Sequence, residues 1–176
     1  MDKIQILIKA VEFSARKHKD QRRKDVDASP YVNHPISLAN ILANEAGVSD
    51  IAVICGALLH DTVEDTNTTF EELEREFGVE IKDIVKDVTD DKTLEKAVRK
   101  QAQIDHAALA SPKAKLVKLA DKISNLRDIA TSPPGDWSVE RKQAYFDWAK
   151  LVVDQVRGVH PALEALFDQA FSAKPK

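Results

Sequence analysis

Two histidines and two aspartates occupy positions where packing alone does not require them. His34 precedes a proline in a turn, His60 and Asp61 end an apolar run, and Asp121 interrupts a second apolar stretch. Singly, each has an ordinary explanation, because histidines often cap helix ends and aspartates on helices are often solvated. Together they form a mixed nitrogen and oxygen set that suits a divalent ion such as Mn²⁺ and leaves positions for water and substrate.

Two further acids, Glu64 and Asp65, follow the His60–Asp61 pair. If the helix that carries this pair continues for one more turn, the spacing of four residues places both acids on the side of the ligands. Acids beside a metal-activated water can orient it and accept its proton. The alternative is a solvated loop that leads to the helix cap at Thr69, and the spacing alone does not decide between the two.

Cationic side chains for an anionic substrate occur locally. The run Arg22–Lys24 lies close in sequence to His34, and Asn125 follows Asp121. The run is either a phosphate clamp or a solvated basic turn. His18, His106 and His160 lie among polar residues and are predicted to be bystanders.

An aromatic and guanidinium stripe is predicted near the C-terminus. Trp137, Arg141 and Tyr145 recur every four residues, so they share one face of a helix. Packing is the usual reason for such a stripe, and it is the expected one for Phe146 and Trp148. The stripe is therefore a candidate substrate surface with a structural alternative.

The elements that must position these residues are helical throughout. Apolar residues recur at spacings of three and four, and no segment alternates convincingly as a strand would. The run Ile51–Leu59 is apolar on every side, which predicts a central, enclosed helix. The expected helices otherwise begin or end near Gly47, Gly78, Pro112, Ser138 and Pro161. The sequence predicts one compact all-α domain.

Composition excludes several classes of protein. The chain of 176 residues has 26 basic and 29 acidic side chains, a net charge of −3, which offers no overall positive field for nucleic acid. Its single cysteine, Cys55, excludes an internal disulfide and is expected to be a buried thiol. The longest apolar run is far short of the ~20 residues that cross a bilayer, and no signal-peptide pattern opens the chain. No membrane partner and a cytoplasmic location are expected.

Four segments in order carry a family resemblance. They are PYVNHPI (30–36), ALLHDTVEDT (57–66), VTDDK (88–92) and KLVKLADKISNLRD (115–128). The chain resembles the HD hydrolase domain of RelA/SpoT-type alarmone enzymes, and most closely its stand-alone form, the small alarmone hydrolases. The resemblance runs from Ile4 to about Leu166. It implies one HD domain over residues 1–176, with a core at about 4–166, a frayed tail at 172–176 and no synthetase or regulatory domain.

The resemblance also implies an activity and a role for each site residue. The family binds one Mn²⁺ and hydrolyses guanosine 3′-diphosphate 5′-di(tri)phosphate, abbreviated (p)ppGpp, to GDP or GTP and pyrophosphate. By position, the metal ligands are His34, His60, Asp61 and Asp121, and the water-activating pair is Glu64 and Asp65. The implied substrate contacts are Arg23, Lys24, Asn125, Arg141 and Tyr145.

Alternatives to this function remain in the sequence. The family usually has a glycine shortly before the proline and tyrosine at 30–31, whereas this chain reads DASP at 27–30, so the loop beside the base can differ in shape. The first alternative is an NADPH 2′-phosphatase or another HD-type nucleotide phosphohydrolase. The second is an alarmone-binding protein without turnover, against which the intact acidic pair argues. The oligomeric state does not follow from the residues.

Overall fold

The computed structural model describes residues 2–176, which form an all-α domain as the sequence predicts. Over this range only two isolated β-bridges occur, Arg22 with Pro30 and Asp25 with Pro134. The helices are α1 (Lys3–Lys17), α2 (Asn33–Asn40), α3 (Ile51–Leu59), α4 (Thr62–Asp65), α5 (Phe70–Phe77), α6 (Val79–Val88), α7 (Lys96–Ala107), α8 (Pro112–Thr131), α9 (Val139–Asp154) and α10 (Pro161–Ser172). Helix α2 runs directly into one π-helical turn, Ile41–Glu45.

Helix α3 is the enclosed central helix that its apolar sequence predicts. Every residue from Ala52 to Leu59 is buried, and α1, α2, α6 and α8 pack around it. The Asp50 carboxylate accepts a hydrogen bond from the N–H of Ala52 and caps the first turn. Gly56 allows the close approach of α6, because a Cβ atom there would lie 2.6 Å from Cγ2 of Ile84.

The helix that leads to His60 and Asp61 does not continue for another turn. The predicted common face of Glu64 and Asp65 depended on such a continuation. The helix ends at Leu59, Asp61 adopts φ −100° and ψ 0°, and α4 restarts at Thr62. The hydroxyl of Thr62 donates to the carbonyl of Leu59 at 2.7 Å, which satisfies one of the carbonyls left free at the helix end. This break redirects the side chains that follow.

Helix α8 is the second structural axis and passes between α3, α9 and α10. Ser111 caps it, and Pro112 occupies its first turn, where the missing N–H costs nothing. Helix α9 is attached to α7 through Trp148, whose indole N–H donates to the carbonyl of Lys100 at 3.0 Å. The middle of α8 carries the polar residues Asp121, Lys122 and Asn125. They line a cavity together with side chains of α2, α7 and α9 and with His60, which follows α3.

The last helices begin where the sequence predicts. Helix α9 begins at Val139, directly after Ser138, and α10 begins at Pro161. After α10, the carbonyl of Pro175 accepts a hydrogen bond from Gln143, and Lys174 pairs with Asp147. Across residues 2–176, none of the helices combines the length and the apolar composition that a membrane span requires.

Candidate active site

Three of the four predicted metal ligands meet in space. His34 lies in the first turn of α2, His60 follows the last residue of α3, and Asp121 lies in the middle of α8. One ligand atom from each lies within 4.8 Å of the others. Nε2 of His34 is 3.2 Å from Oδ1 of Asp121, and Nε2 of His60 is 4.0 Å from the same oxygen. Both imidazoles are buried, so three distant segments converge on one small polar volume.

Asp61 borders this cluster instead of completing it. Its Oδ2 lies 2.8 Å from Nε2 of His60 and accepts a hydrogen bond from the hydroxyl of Tyr31. Burial alone would raise the pKa of Asp61, but the imidazoles of His60 and His34 hold it well below the usual range. The carboxylate of Asp61 is therefore ionised, and it contacts the three-residue group through His60.

The chemistry of His60 tests whether the cluster fits a cation. Its Nδ1 lies 2.7 Å from the carbonyl of Ala57, and a carbonyl only accepts, so Nδ1 carries hydrogen. Nε2 then faces the carboxylates of Asp61 and Asp121, whose oxygens lie 2.8 and 4.0 Å away, but it is buried and makes no hydrogen bond of good geometry. Burial disfavours the imidazolium, yet these two carboxylates raise the pKa of His60 to about 9.

Such a position favours a positive charge, which is either a proton on Nε2 or a cation between the imidazole and the carboxylates. A divalent ion supplies it while the imidazole stays neutral, and a histidine ligand whose other nitrogen donates to a backbone carbonyl is typical of metal sites. Asp121 is also prepared for this role. Burial would raise its pKa, but Lys122 and the hydrogen bond from His34 hold it well below its ordinary value. The residues fit a divalent cation.

Glu64 and Asp65 lie on different sides of the cluster. Glu64 lines the same cavity as His34, His60 and Asp121, and its Oε2 accepts the N–H of Asp90 at 3.1 Å. Burial, together with the charges of Asp61 and Asp90, raises the pKa of Glu64 to about 7.

Asp65 faces the loop that follows α1. Its Oδ2 accepts a hydrogen bond from the amide of Gln21 at 2.9 Å, and Oδ1 pairs with Lys92. The break between α3 and α4 is the reason why these neighbouring acids do not share one surface.

Two cavities meet at the cluster. The first, which we call the cluster cavity, has a volume of about 270 Å³ and contains the predicted metal ligands, Glu64 and the polar faces of α7 and α8. The second, the loop cavity, has a volume of about 580 Å³ and lies between the 21–25 loop and the start of α9. Five residues line both cavities and form the boundary between them: Arg23, Tyr31, His34, Asn125 and Tyr145.

Four of the five predicted substrate contacts lie at these cavities. Lys24 lines the loop cavity, and Arg23 lies on the boundary, where its Nη2 donates to Asp128 at 2.5 Å. Asn125 donates to Oδ1 of Asp121 at 2.8 Å, so its amide is held beside the cluster. Burial raises the pKa of Tyr145 to about 12, which keeps its hydroxyl protonated.

Arg141 is the exception, because it lines neither cavity. Its guanidinium lies over the ring of Trp137, 4.4 Å from the centroid, and its side chain is 45% exposed. Trp137 itself lines the loop cavity. Trp148, for which the sequence predicts core packing, is partly buried against the core and also lines the cluster cavity, while Phe146 is fully buried as predicted.

Sequence reasoning missed several side chains around the cluster. Tyr31 lies in the PYVNHPI segment, whose proline and histidine drew attention, but its bond to Asp61 depends on the fold. His18, predicted to be a bystander, is 3% exposed, and its Nδ1 lies 2.7 Å from the side-chain oxygen of Gln21. Its ring centroid is 4.9 Å from that of Tyr31. Asp90 belongs to the VTDDK segment and accepts a hydrogen bond from Gln103.

The chain is similar to several known proteins. A family model described as "HD domain" matches residues 10–148. The guanosine-3′,5′-bis(diphosphate) 3′-pyrophosphohydrolase MESH1 of Xenopus tropicalis is 54% identical over 166 residues, which are 94% of this chain and 93% of that protein. The human protein of the same name is 51% identical over 168 residues, 96% of this chain and 94% of that protein.

A solved structure is also similar. It is described as a metazoan ortholog of SpoT that hydrolyzes ppGpp and plays a role in starvation responses. It superposes with a TM-score of 0.92 at 48% identity and covers 95% of this chain and 94% of that one.

Proposed function

Because this chain belongs to the HD-domain family and to the group of the MESH1 3′-pyrophosphohydrolases within it, we propose that it is a metal-dependent (p)ppGpp 3′-pyrophosphohydrolase. The observation that carries the proposal is the buried group of His34, His60 and Asp121, which shares one cavity with Glu64. A phosphoryl-transfer site requires a cation site and a proton acceptor at such proximity.

The metal is proposed to be one Mn²⁺, held by His34, His60, Asp61 and Asp121. Two imidazoles favour Mn²⁺ over Mg²⁺, which prefers oxygen ligands and loses its water molecules reluctantly. When bound, the ion supplies Lewis-acid chemistry, since it polarises phosphoryl oxygens and acidifies a water molecule. The unpartnered Nε2 of His60 supports the assignment.

The proposed reaction joins the oxygen of a water molecule to the 3′-linked phosphorus and breaks the bond between that phosphorus and O3′. O3′ is the leaving group and takes a proton, so the nucleotide is released as GDP or GTP with a free 3′-hydroxyl. The phosphorus under attack is released with its second phosphate as pyrophosphate. Glu64 accepts the proton of the attacking water from within the cluster cavity, and Asp65 orients that water from the side of the loop. The bonds from Gln21 and Lys92 hold Asp65 in place for this task.

The remaining residues are proposed to hold the nucleotide. Arg23 and Lys24 balance phosphate charge, and Tyr145 forms a wall at the boundary of the two cavities. Asn125 contacts the ribose and phosphate beside Asp121. Arg141 acts through Trp137, whose ring it covers, and is therefore a positioning residue in this proposal.

The test is a comparison of substrates on one preparation. The Mn²⁺-loaded protein is incubated with ppGpp, pppGpp and NADPH, and the release of pyrophosphate and of inorganic phosphate is measured separately. The proposal expects pyrophosphate from both alarmones with the highest kcat/KM values. A higher kcat/KM for phosphate release from NADPH would make the protein a 2′-phosphatase, and tight alarmone binding without pyrophosphate release would make it a binding protein.

A further inference from the structure

A group of basic side chains from α7 and α8 lines one wall of the cluster cavity. The group consists of Lys96, Arg99, Lys100, Lys118 and Lys122. Within residues 2–176, the first four have no carboxylate oxygen within 4.0 Å, and only Lys122 forms an ion pair, with Asp121 at 3.1 Å. Four cations without an ion-pair partner on one cavity wall are unexpected in a chain whose net charge is −3.

These cations repel one another. Burial, followed by the charges of Lys96, Lys122 and Arg141, lowers the pKa of Lys100. Burial and the charge of Lys122 also lower the pKa of Lys118, although the charges of Asp90, Asp121 and Asp87 oppose this shift. Partial burial of like charges costs free energy that an anion of high charge would offset. The carboxylates of Asp90 and Asp121 line the same cavity but form no ion pair with the first four cations, so the arrangement favours a ligand with several negative charges.

We propose that this wall is the subsite for the terminal phosphate of the diphosphate that is cleaved, and hence for the pyrophosphate product. The inference rests on the proposed function, because the phosphorus under attack must lie at the His34, His60 and Asp121 cluster. From that point the substrate extends in two directions, toward the α7 and α8 cations or into the loop cavity. The two cavities differ in the chemistry of their walls.

The loop cavity suits the nucleoside end. It is about twice as large as the cluster cavity, 580 against 270 Å³, and it includes the apolar surfaces of Tyr31, Ile129, Pro134 and Trp137. In the cluster cavity the ring of Trp148 is covered by the ammonium groups of Lys122 and Lys100, at 4.3 and 4.8 Å from its centroid. Ammonium groups in that position favour phosphate oxygens over a stacked base.

The experiment measures the binding of inorganic pyrophosphate and of GDP to the Mn²⁺-loaded protein by titration calorimetry, which does not depend on turnover. Lys118→Ala and Lys100→Ala are each expected to weaken pyrophosphate binding by about tenfold or more, the loss for one charge-assisted contact. GDP binding should change by less than about twofold, which corresponds to no lost contact. Lys24→Ala should weaken the binding of GDP and leave that of pyrophosphate unchanged. Lys115→Ala, on α8 but outside both cavities, should change the affinity for neither ligand.

Further variants keep the result decisive. Lys118→Met keeps most of the apolar stem if Lys118→Ala fails to fold, and Lys118→Arg should restore most of the affinity because it restores the charge. Unchanged pyrophosphate affinity in the Lys118 and Lys100 variants would overturn the proposal. If those variants lose more affinity for GDP than for pyrophosphate, relative to the unmodified protein, the wall binds the 5′-phosphates instead. Failure of the proposed function would appear separately, as the absence of ppGpp turnover by the unmodified protein.

Discussion

Nε2 of His34 and Oδ1 of Asp121 lie 3.2 Å apart although 87 residues separate them in the chain. The contact joins the first turn of α2 to the middle of α8. Ser124, one turn beyond Asp121, lies with its hydroxyl 3.3 Å from Nδ1 of the same imidazole. Helix α8 thus contacts both nitrogens of His34 and sets the orientation of its ring.

The first prediction concerns the metal. A chelator should abolish pyrophosphate release, and Mn²⁺ should restore it at lower concentration than Mg²⁺, because imidazole ligands favour the softer ion. The measurement is initial rate against the concentration of each added ion after chelator is removed. Equal restoration by both ions at the same concentration would contradict a site with two histidine ligands.

Asp121→Asn should lose metal and stability together. A neutral amide is a poor substitute for a carboxylate ligand, and Lys122, which is 4% exposed, would lose its ionic partner. We expect the free energy of unfolding to fall by about 3 kcal/mol, the lower end for a broken buried ion pair, because the amide oxygen still accepts a hydrogen bond. Metal content and denaturant unfolding of the same preparation check both parts. Full metal occupancy in this variant would remove Asp121 from the ligand set.

Glu64→Gln should keep the metal and lose turnover. Its carboxylate accepts the N–H of Asp90 and lies outside the three-residue cluster, so ligation should not change. The value of kcat should fall by roughly 10²–10⁴-fold, the usual range for a general acid–base group. Asp65→Asn is the matched comparison, since Asp65 lies on the other side of the cluster. A metal-free Glu64→Gln protein would make Glu64 a ligand, and a fully active one would exclude it from the mechanism.

Lys24→Ala should raise KM without a loss of stability. The side chain is exposed and lines the loop cavity, so its truncation should change the free energy of unfolding by only a few tenths of a kcal/mol. Arg23→Ala should also raise KM and should cost at most about 1 kcal/mol of stability, since its partner Asp128 is half exposed. Lys19→Ala, outside both cavities, is the control. Unchanged KM values in both variants would mean that the basic run is a solvated surface.

Gly56→Ala tests the packing of α3 on α6. The new Cβ would lie 2.6 Å from Cγ2 of Ile84, so one helix must shift. We expect a loss of about 1–3 kcal/mol in the free energy of unfolding, the usual cost of overpacking. The loss should be smaller in an Ile84→Ala background, where the clashing methyl group is absent. Equal losses in both backgrounds would show that the contact does not limit stability.

The sequence by itself determined the helices and the candidate chemistry. Apolar spacing predicts the helices because each one buries only one face, and the exception, Ile51–Leu59, is the helix buried on every side. The candidate ligands were visible because His60, Asp61 and Asp121 interrupt apolar runs, where an uncompensated polar group is costly. Such local signals do not depend on how the helices pack.

Only the tertiary structure decided which side chains share a surface. Glu64 and Asp65 diverge because the chain breaks between α3 and α4, a local conformation that a helical spacing rule does not include. Tyr31 packs against the buried His18, and Arg141 lines neither cavity although it shares a stripe with Trp137.

The basic wall of the cluster cavity is the clearest case. Its residues come from α7 and α8, each of which reads as an ordinary charged helix face in the sequence. They converge because α9 attaches to α7 through Trp148 and packs beside α8. The packing of helices depends on many small contacts between segments that are distant in the chain. The position of a charge relative to the site is therefore set by how whole helices pack, and its neighbours in the sequence do not reveal it.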